Sequence, residues 1–430
     1  MRLAALFLTV SVAFGAAIAS SADARIYDSV EVRGSEFVPE QDIRMTCGTA
    51  AGIDYLEFEL RAIEDCLMST GVFEAVQLYE ENGSLIIEVE EIEMRPGRVE
   101  GALSYDTQDG AVLSFSFERY NLFPDTFGAL HLDLGRETHR YSAALYRADA
   151  LGPALDAGID LEGYRTDYDD LRYKEDSLRG DIFLAWTPSD RVRAEVGAGY
   201  RDHRMEDVED GASELLLTEE ASVDAPYLRL ALDYVSLLGE QQDEPEIQPG
   251  VSLRLDQYFW NIGTDDPLSD TRAELVYRMP LSPDMRVLLG LNGGYVQGLD
   301  DNATRAIDRY FPGANTFRGF APRGIGPRDD DDVLGGNRFL VGSLELQRDL
   351  GDLLGHSLRG GIFVETGGVW GLDDTLNGQI DDDWHRRSTV GVSATFDVAN
   401  TPVSLYLAHP VEKEADDNAQ LFGLSISATF

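Results

Sequence analysis

The residues best suited to a chemical role inside the fold are one arginine and two glutamates in the last third of the chain. Arg318 lies in a long loop rich in Gly, Pro and Asp, and Glu345 and Glu365 lie on the two strands predicted after it. Each glutamate alternates with apolar neighbours, so both carboxylates are predicted to point away from the apolar face. The planar guanidinium of arginine suits such a pair. We therefore predict that Arg318 contacts Glu345, Glu365 or both; the alternative is that the three charges never meet.

The neighbours of Arg318 favour a folded loop. Gly319 allows the backbone to turn sharply between the cation and the aromatic side chain of Phe320. Phe311 and Phe317 add apolar anchors, which disordered linkers lack. A surface turn is the alternative interpretation of residues 318–320 taken alone.

No other chemistry is predicted. The six histidines show no metal-ligand spacing, and the chain contains no nucleophile elbow and no phosphate-binding glycine loop. We expect no enzymatic activity, no cofactor and no bound metal. The acid-rich segments 167–170, 207–210, 329–332 and 381–383 are interpreted as solvated loops, because none has the ligand spacing of a calcium loop. Bound divalent cations are the alternative there.

Composition excludes two classes of protein. The formal net charge of -43 argues against a nucleic-acid partner, which needs a basic surface. Hydrophobic residues make up 43% of the chain and aromatic residues 10%, which is too much for a disordered protein. The abundance of glycine and of aromatic residues suits an all-β protein with many turns.

The elements that must position the arginine and the glutamates are long alternating strands. From residue 95 to residue 430, apolar and polar residues alternate over segments of about ten residues, which predicts a membrane all-β fold, a transmembrane antiparallel β-barrel of about 16 strands. The last segment sets Phe422, Leu424, Ile426 and Phe430 against small residues. A soluble β-sandwich is the alternative, but its strands are shorter and it does not usually end on an aromatic residue.

Two segments precede the barrel. Residues 1–24 combine Arg2, an apolar run and an Ala-x-Ala site, which predicts a cleaved signal peptide; a retained anchor helix is the alternative. Residues 25–94 predict a small α/β domain in the order β-α-α-β-β. Its second helix is predicted from about Asp54 to Ser69, and its hairpin turns at Asn82 and Gly83.

Both cysteines of the chain, Cys47 and Cys66, lie in this small domain. An exported protein meets an oxidising compartment, so a disulfide is predicted, with two free core thiols as the alternative. A bridge across a loop of this length contributes about 3 kcal/mol to stability.

Residues 25–94 resemble a POTRA (polypeptide-transport-associated) domain, in element order and in the segments V-R-G, S-T-G-V-F-E-A-V and L-I-I-E-V-E-E. The barrel is similar to that of the Bam/Tam outer-membrane insertase and translocase superfamily. The similarity rests on Phe317–Phe320, on a G-G-N stretch, on a strand around Phe363 and on a T-P-V…A-H-P stretch near the C-terminus. The motif residues beyond the loop are Gly335, Gly336, Asn337, Phe363 and Gly367. Glu365 stands where that superfamily usually has Asp.

The resemblance implies a protein of the bacterial outer membrane with its POTRA domain in the periplasm. It implies assembly or transport of unfolded client polypeptides, caught at the POTRA sheet edge and at the seam between the first strand (99–105) and the last strand (421–430). Outer-membrane lipid and accessory subunits are the other expected partners. The terminal Phe430 resembles a barrel-assembly signal. A secretion pore for one partner protein and a passive porin are the alternatives.

Overall fold

The computed structural model describes residues 25–35, 38, 40–70, 72–91, 97–106, 109–123, 125–189, 191–236, 249–300, 302–314, 316–353, 356–398 and 401–429. The predicted signal peptide, the predicted domain boundary between residues 94 and 95 and the terminal Phe430 lie outside these residues. The chain divides into two compact units between Pro96 and Gly97.

The first unit is an α/β domain with one three-stranded sheet. Its elements are β1 (Arg25–Ile26), β2 (Ser29–Arg33), α1 (Glu40–Thr46), β3 (Asp54–Tyr55), α2 (Glu57–Ser69), β4 (Phe73–Glu81) and β5 (Ser84–Glu91). The sheet order is β2-β5-β4, with β2 parallel and β4 antiparallel to β5. The predicted order is therefore present, with two short strands added, and β4 lies at a sheet edge.

The predicted start of the second helix at Asp54 is wrong. Asp54 and Tyr55 instead pair with Arg25 and Ile26 as a two-residue ladder. The helix begins after Leu56, whose backbone N–H donates a 2.9 Å hydrogen bond to the Glu59 carboxylate. That bond satisfies a backbone donor at the helix start, so the chain turns into the helix there.

The predicted disulfide is confirmed. Cys47 follows α1, Cys66 lies on α2, and their sulfurs are bonded with 6.0 Å between the Cα atoms. Apolar side chains that are completely buried fill the space between the helices and the sheet: Leu67, Leu85 and Ile87.

The second unit is a closed antiparallel barrel of 16 strands. The first eight are β6 (Gly97–Asp106), β7 (Gly110–Phe123), β8 (Thr126–Gly135), β9 (Thr138–Arg147), β10 (Leu155–Thr166), β11 (Lys174–Ser189), β12 (Val192–Glu206) and β13 (Ser222–Val235). The others are β14 (Gly250–Trp260), β15 (Leu268–Ser282), β16 (Met285–Gly298), β20 (Arg338–Leu353), β21 (His356–Trp370), β22 (Arg387–Val398), β23 (Thr401–Glu412) and β25 (Phe422–Thr429). The predicted strand number agrees with this barrel.

The loops of the barrel carry the remaining elements. These are α3 (Glu214–Glu219), a 3-10 helix (Ala306–Asp308), β17 (Gly319–Phe320), β18 (Arg328–Asp329), β19 (Asp332–Val333) and β24 (Ala419–Gln420). The loop of residues 299–337 connects the eleventh and twelfth barrel strands, as predicted, and we call it the long loop. The end of the barrel at which it lies is called the loop end.

The barrel strands alternate as the sequence predicts. Apolar side chains such as Ile182, Ile362 and Leu407 are more than half exposed on the outer face. On the last strand, Phe422, Leu424 and Ile426 stand opposite Leu407, Leu405 and Val403 of β23. None of the helices in the described ranges combines the length and apolarity needed to cross a membrane.

Candidate functional site

The predicted site lies on two neighbouring strands of the barrel wall, β20 and β21. In their ladder Glu345 stands opposite Phe363, and Ser343 stands opposite Glu365. The two glutamates are therefore diagonal neighbours on one face, and they are only 7% and 5% exposed. Ile362, on the other face, is 59% exposed. The predicted inward direction of both carboxylates is confirmed.

Arg318 reaches from the long loop to both carboxylates. Its Nε donates to Glu365 Oε1 at 2.7 Å, and its Nη1 lies 2.9 Å from Glu345 Oε2. The backbone N–H of Arg318 also donates to Glu365 Oε2 at 2.8 Å. The predicted contact is thus confirmed for both partners. One guanidinium and one amide together hold the loop against two adjacent strands inside the barrel.

The site contains further contacts that complete its geometry. The guanidinium carbon lies 3.5 Å from the centre of the Phe363 ring, so the cation stacks on the aromatic face. The second oxygen of Glu345 accepts from Gln347 Nε2 at 2.9 Å and from Ser393 Oγ at 2.7 Å. Buried carboxylates need this full set of donors, because an unmade hydrogen bond to a buried charge is costly.

The residues beside Arg318 fit the turn that delivers it. Gly319 has φ of +98°, and a Cβ there would lie 2.8 Å from Thr389 Cγ2. Both facts favour glycine, because L residues avoid this φ and no space exists for a side chain. Phe320 is completely buried and contacts Phe317 edge to face. The two residues of strand β17, Gly319 and Phe320, also form a short ladder with β24.

The other motif residues support the loop near its return to β20. Gly335 has φ of +69°, and Gly336 bridges to Tyr310. Asn337 is buried, and its Oδ1 accepts from Thr304 Oγ1 at 2.6 Å. Gly367 lies on β21 opposite β20. These residues position the long loop and make no contact with Arg318 that the described structure records.

Sequence reasoning missed a second charged cluster that holds the long loop. Asp308 is almost completely buried and pairs with Arg201 of β12 at 3.4 Å and with Arg305 at 3.1 Å. Burial by itself raises the pKa of the Asp308 carboxyl, but the positive charges of Arg305 and Arg201 outweigh burial and hold it well below its usual value. Asp308 is therefore a carboxylate.

The interpretation of the acid-rich segments as solvated loops is partly wrong. Asp332 is 7% exposed and accepts from the backbone N–H of Ser213 at 2.5 Å, while Asp329 accepts from the Ser213 hydroxyl. Asp170 makes a bidentate pair with Arg323 of the long loop. Asp382 accepts from the Leu372 backbone N–H at 2.8 Å. Several of these acids therefore accept hydrogen bonds from other loops, and of those named Asp332 is buried while Asp170 is about half exposed.

Two further buried ion pairs fasten the loops. Arg387 and Asp417 form a bidentate pair at 2.9 and 3.0 Å, and Arg309 pairs with Glu219 of α3. No local pattern signals these partners, because they lie 30 and 90 residues apart in the chain. In the described parts of the chain, no group of three or more His, Cys, Asp or Glu is arranged to hold a metal ion.

The barrel has 16 antiparallel strands, and an arginine of its long loop binds two carboxylates of the barrel wall. These features define a class of barrels whose long loop folds inward. The domain of the Omp85 superfamily matches residues 102–430, and the chain belongs to that superfamily.

A curated relative is the outer membrane protein assembly factor BamA of Neorickettsia risticii (strain Illinois), 26% identical over 339 residues. That alignment covers 77% of this chain and 45% of the relative, so the chain spans less than half the length of this relative. The crystal structure of BamA from Haemophilus ducreyi lacking POTRA domains 1–3 is similar with a TM-score of 0.79 at 17% identity, covering 94% of this chain and 85% of that one. CdiB from Acinetobacter baumannii is similar with a TM-score of 0.55 at 12% identity, covering 95% and 74%. These two solved structures have the same fold as this chain.

Proposed function

We propose that this protein resides in the bacterial outer membrane and inserts or translocates client polypeptides there. Membership of the Omp85 superfamily and the similarity to an outer membrane protein assembly factor support this proposal. The structural observation that carries it is the seam between β25 and β6, where the last strand of the closed barrel pairs with the first.

The seam joins the last strand of the barrel to the first. Within the described residues, its ladder runs from Ile426 opposite Tyr105 to Thr429 opposite Ala102. No hairpin joins β6 and β25, because they are distant in the chain. The two strands are therefore held together by backbone hydrogen bonds, which contribute roughly 0.5–1.5 kcal/mol net each.

An open seam exposes two strand edges to a client. A client strand adds to such an edge through backbone hydrogen bonds, which tolerate varied side chains. In lipid, every backbone N–H and C=O group needs a hydrogen-bond partner. A growing client barrel therefore gains stability as its strands pair and enter the membrane. No nucleotide is required for this step.

The first unit has the architecture that a client-catching domain needs, and we assign it as a POTRA domain in the periplasm. Its strand β4 lies at an edge of the sheet and pairs on one side with β5. A proline within β4 weakens strand addition there. Unchanged crosslinking of unfolded clients to a Gln77→Pro variant would exclude β4 as the edge that binds them.

The arginine site contributes by closing the pore. Arg318 holds the long loop inside the barrel, so the resting protein should conduct little in planar bilayers. A large steady conductance that is unchanged by Arg318→Ala would favour a passive porin. Export of one partner protein, without insertion of other clients, would favour a dedicated secretion pore.

The seam is tested by a reversible crosslink. The pair Ala102→Cys and Thr429→Cys, which stand opposite each other, should lock the seam when oxidised. We expect insertion of an unfolded outer-membrane barrel protein into liposomes, read as protease-resistant client, to fall at least about tenfold and to recover with reductant.

The matched control places cysteines at Ser116 and His131, which stand opposite each other in the ladder between β7 and β8. It reports any effect of the reagents on the Cys47–Cys66 disulfide. Insertion at the same rate by the oxidised seam variant and the oxidised control would refute insertion through the seam.

A further inference from the structure

We propose that Arg323 is a positioning residue that clasps the long loop across the loop end of the seam and so limits how readily β25 and β6 separate. The inference deepens the proposed function and rests on it for its biological meaning. The physical claim concerns the contacts of Arg323, which differ from those of Arg318.

The backbone at Arg323 is the first observation. Residues 321–324 form a turn in which the Gly324 N–H donates to the Ala321 carbonyl at 2.9 Å. Pro322 occupies the first central position, and Arg323 follows with φ of +53°. This is a type II turn, whose second central position strongly favours glycine. An arginine at this position is unfavourable for the backbone, and strong contacts of its side chain can offset that cost.

The side chain of Arg323 has such contacts with a loop that connects two strands of the first half of the barrel. It is 8% exposed, and its Nε and Nη2 donate to the two oxygens of Asp170 at 2.8–3.1 Å. Its guanidinium carbon lies 3.8 Å from the centre of the Tyr168 ring. Both partners lie in the loop between β10 and β11.

This contact set continues to the first hairpin of the barrel. The Tyr168 hydroxyl donates to Asp109 Oδ1 at 3.0 Å. The other oxygen of Asp109 pairs with Arg140 of β9 at 2.7 Å. Asp109 directly precedes β7 and therefore belongs to the hairpin whose first strand, β6, forms one side of the seam.

The same segment of the long loop is fastened to the other side of the seam by its backbone. β17 pairs with β24, directly before β25. The Ala321 N–H donates to the Asn418 carbonyl at 2.9 Å, and the Asn418 N–H donates to the Gly324 carbonyl at 2.8 Å. Residues 319–324 thus connect the strand on one side of the seam with the hairpin on the other.

The connection lies at the loop end of the seam. Within the described residues, the seam ladder starts near this end with Ile426 opposite Tyr105. β23 pairs with β25 on its other side, and the long loop pairs with β24 directly before β25. Loss of the Arg323 contacts frees one of the two ends of this connection.

The test is amide hydrogen exchange in the full-length protein in detergent micelles. Arg323→Gly removes the clasp and also improves the backbone fit of the turn, so a loss of structure cannot be attributed to strain. We expect exchange of the β6 and β25 amides to become about tenfold faster, while the ladder between β20 and β21 is unchanged. Asp170→Asn, which leaves the turn intact, should act in the same direction.

The matched control is Arg386→Ala. Arg386, directly before β22, makes a bidentate pair with Glu412 of β23, and both side chains are exposed. The inference would be overturned if the β6 and β25 amides exchanged at the same rate in the unmodified protein, the Arg323→Gly protein and the Asp170→Asn protein. It would also be overturned if Arg386→Ala accelerated this exchange as much as the two clasp variants do.

The failure of the clasp and the failure of the proposed function give different results. If the unmodified protein inserts no client, but Arg323→Gly accelerates amide exchange at the seam, the clasp stands and the proposed function is wrong. If the unmodified protein inserts clients, but Arg323→Gly leaves amide exchange at the seam unchanged, only the clasp is wrong.

Discussion

The two units of the chain differ in the charged side chains that they bury. In the α/β unit the most deeply buried residues are apolar, and one disulfide adds a covalent connection. In the barrel, many buried residues are charged and are paired across loops and strands: Arg201, Arg309, Arg387, Glu345 and Glu365. The barrel also buries apolar residues with its long loop, such as Phe317 and Phe320, while others, such as Ile362, are exposed on its outer face.

The difference shows which interactions can define each structure. An α/β domain excludes water from its centre, so apolar burial stabilises it and charges stay outside. A barrel whose outer face meets lipid has its polar residues inside, and these must pair with one another. Buried ion pairs are costly to break even where they add little net stability. They therefore specify where loops lie.

The largest expected effect comes from breaking the arginine site. Arg318→Ala leaves Glu345 and Glu365 buried with one cation fewer, and we expect the free energy of unfolding of the barrel to fall by about 3–5 kcal/mol. Arg318→Lys should recover only part of it, because an ammonium cannot reproduce the planar contacts. Urea-induced unfolding in detergent micelles measures both. An unfolding midpoint equal to that of the unmodified protein would mean that the buried charges find other partners.

The next prediction compares burial in the two units directly. Leu67→Ala empties a completely buried position of the α/β unit and should lower its free energy of opening by about 2–5 kcal/mol. Ile362→Ala removes a side chain that is 59% exposed on the outer face of the barrel, where lipid is as apolar as the side chain. We expect an effect below about 1 kcal/mol there. Amide exchange in α2 and in β21 measures each unit in one experiment, and similar effects at both sites would contradict the inside-out description of the barrel.

The smallest predicted effect concerns pH. The pKa of Asp308 is depressed in the folded protein, so its contribution to stability is fully present above its unfolded value of about 3.9 and is lost as the pH falls toward the folded value. We expect pepsin to cut the long loop faster as the pH is lowered below about 4. In the Asp308→Asn protein, loop cleavage should be faster throughout and less dependent on pH. If the long loop resisted pepsin equally at all pH values in both proteins, the charge of Asp308 would have no role in holding the loop.

Part of the site followed from local patterns in the sequence. Alternation on β20 and β21 indicated the direction of Glu345 and Glu365, because side chains on a strand alternate between two faces. The composition around Gly319 indicated a turn that presents Arg318. The number of strands and the position of the long loop followed from the same period of two.

The other contacts of the long loop could not be read in this way. Arg323 and Asp170 are 153 residues apart, and Arg201 and Asp308 are 107 residues apart. In each case an abundant residue type has many candidate partners, and no spacing rule selects one. The assignment of 329–332 as a solvated loop failed for this reason, since Asp332 meets Ser213 only in the folded loops.

By itself, the sequence indicated the class of the fold, the inward direction of Glu345 and Glu365, the Cys47–Cys66 bridge and a contact of Arg318 with one or both carboxylates. Each of these depends on the period of a strand, on a pair of unique residues or on the steric demands of one glycine. Only the tertiary structure decided which loops meet above the barrel and in which register the seam pairs. Strand register and barrel closure bring together residues more than a hundred positions apart, and these depend on the whole barrel at once.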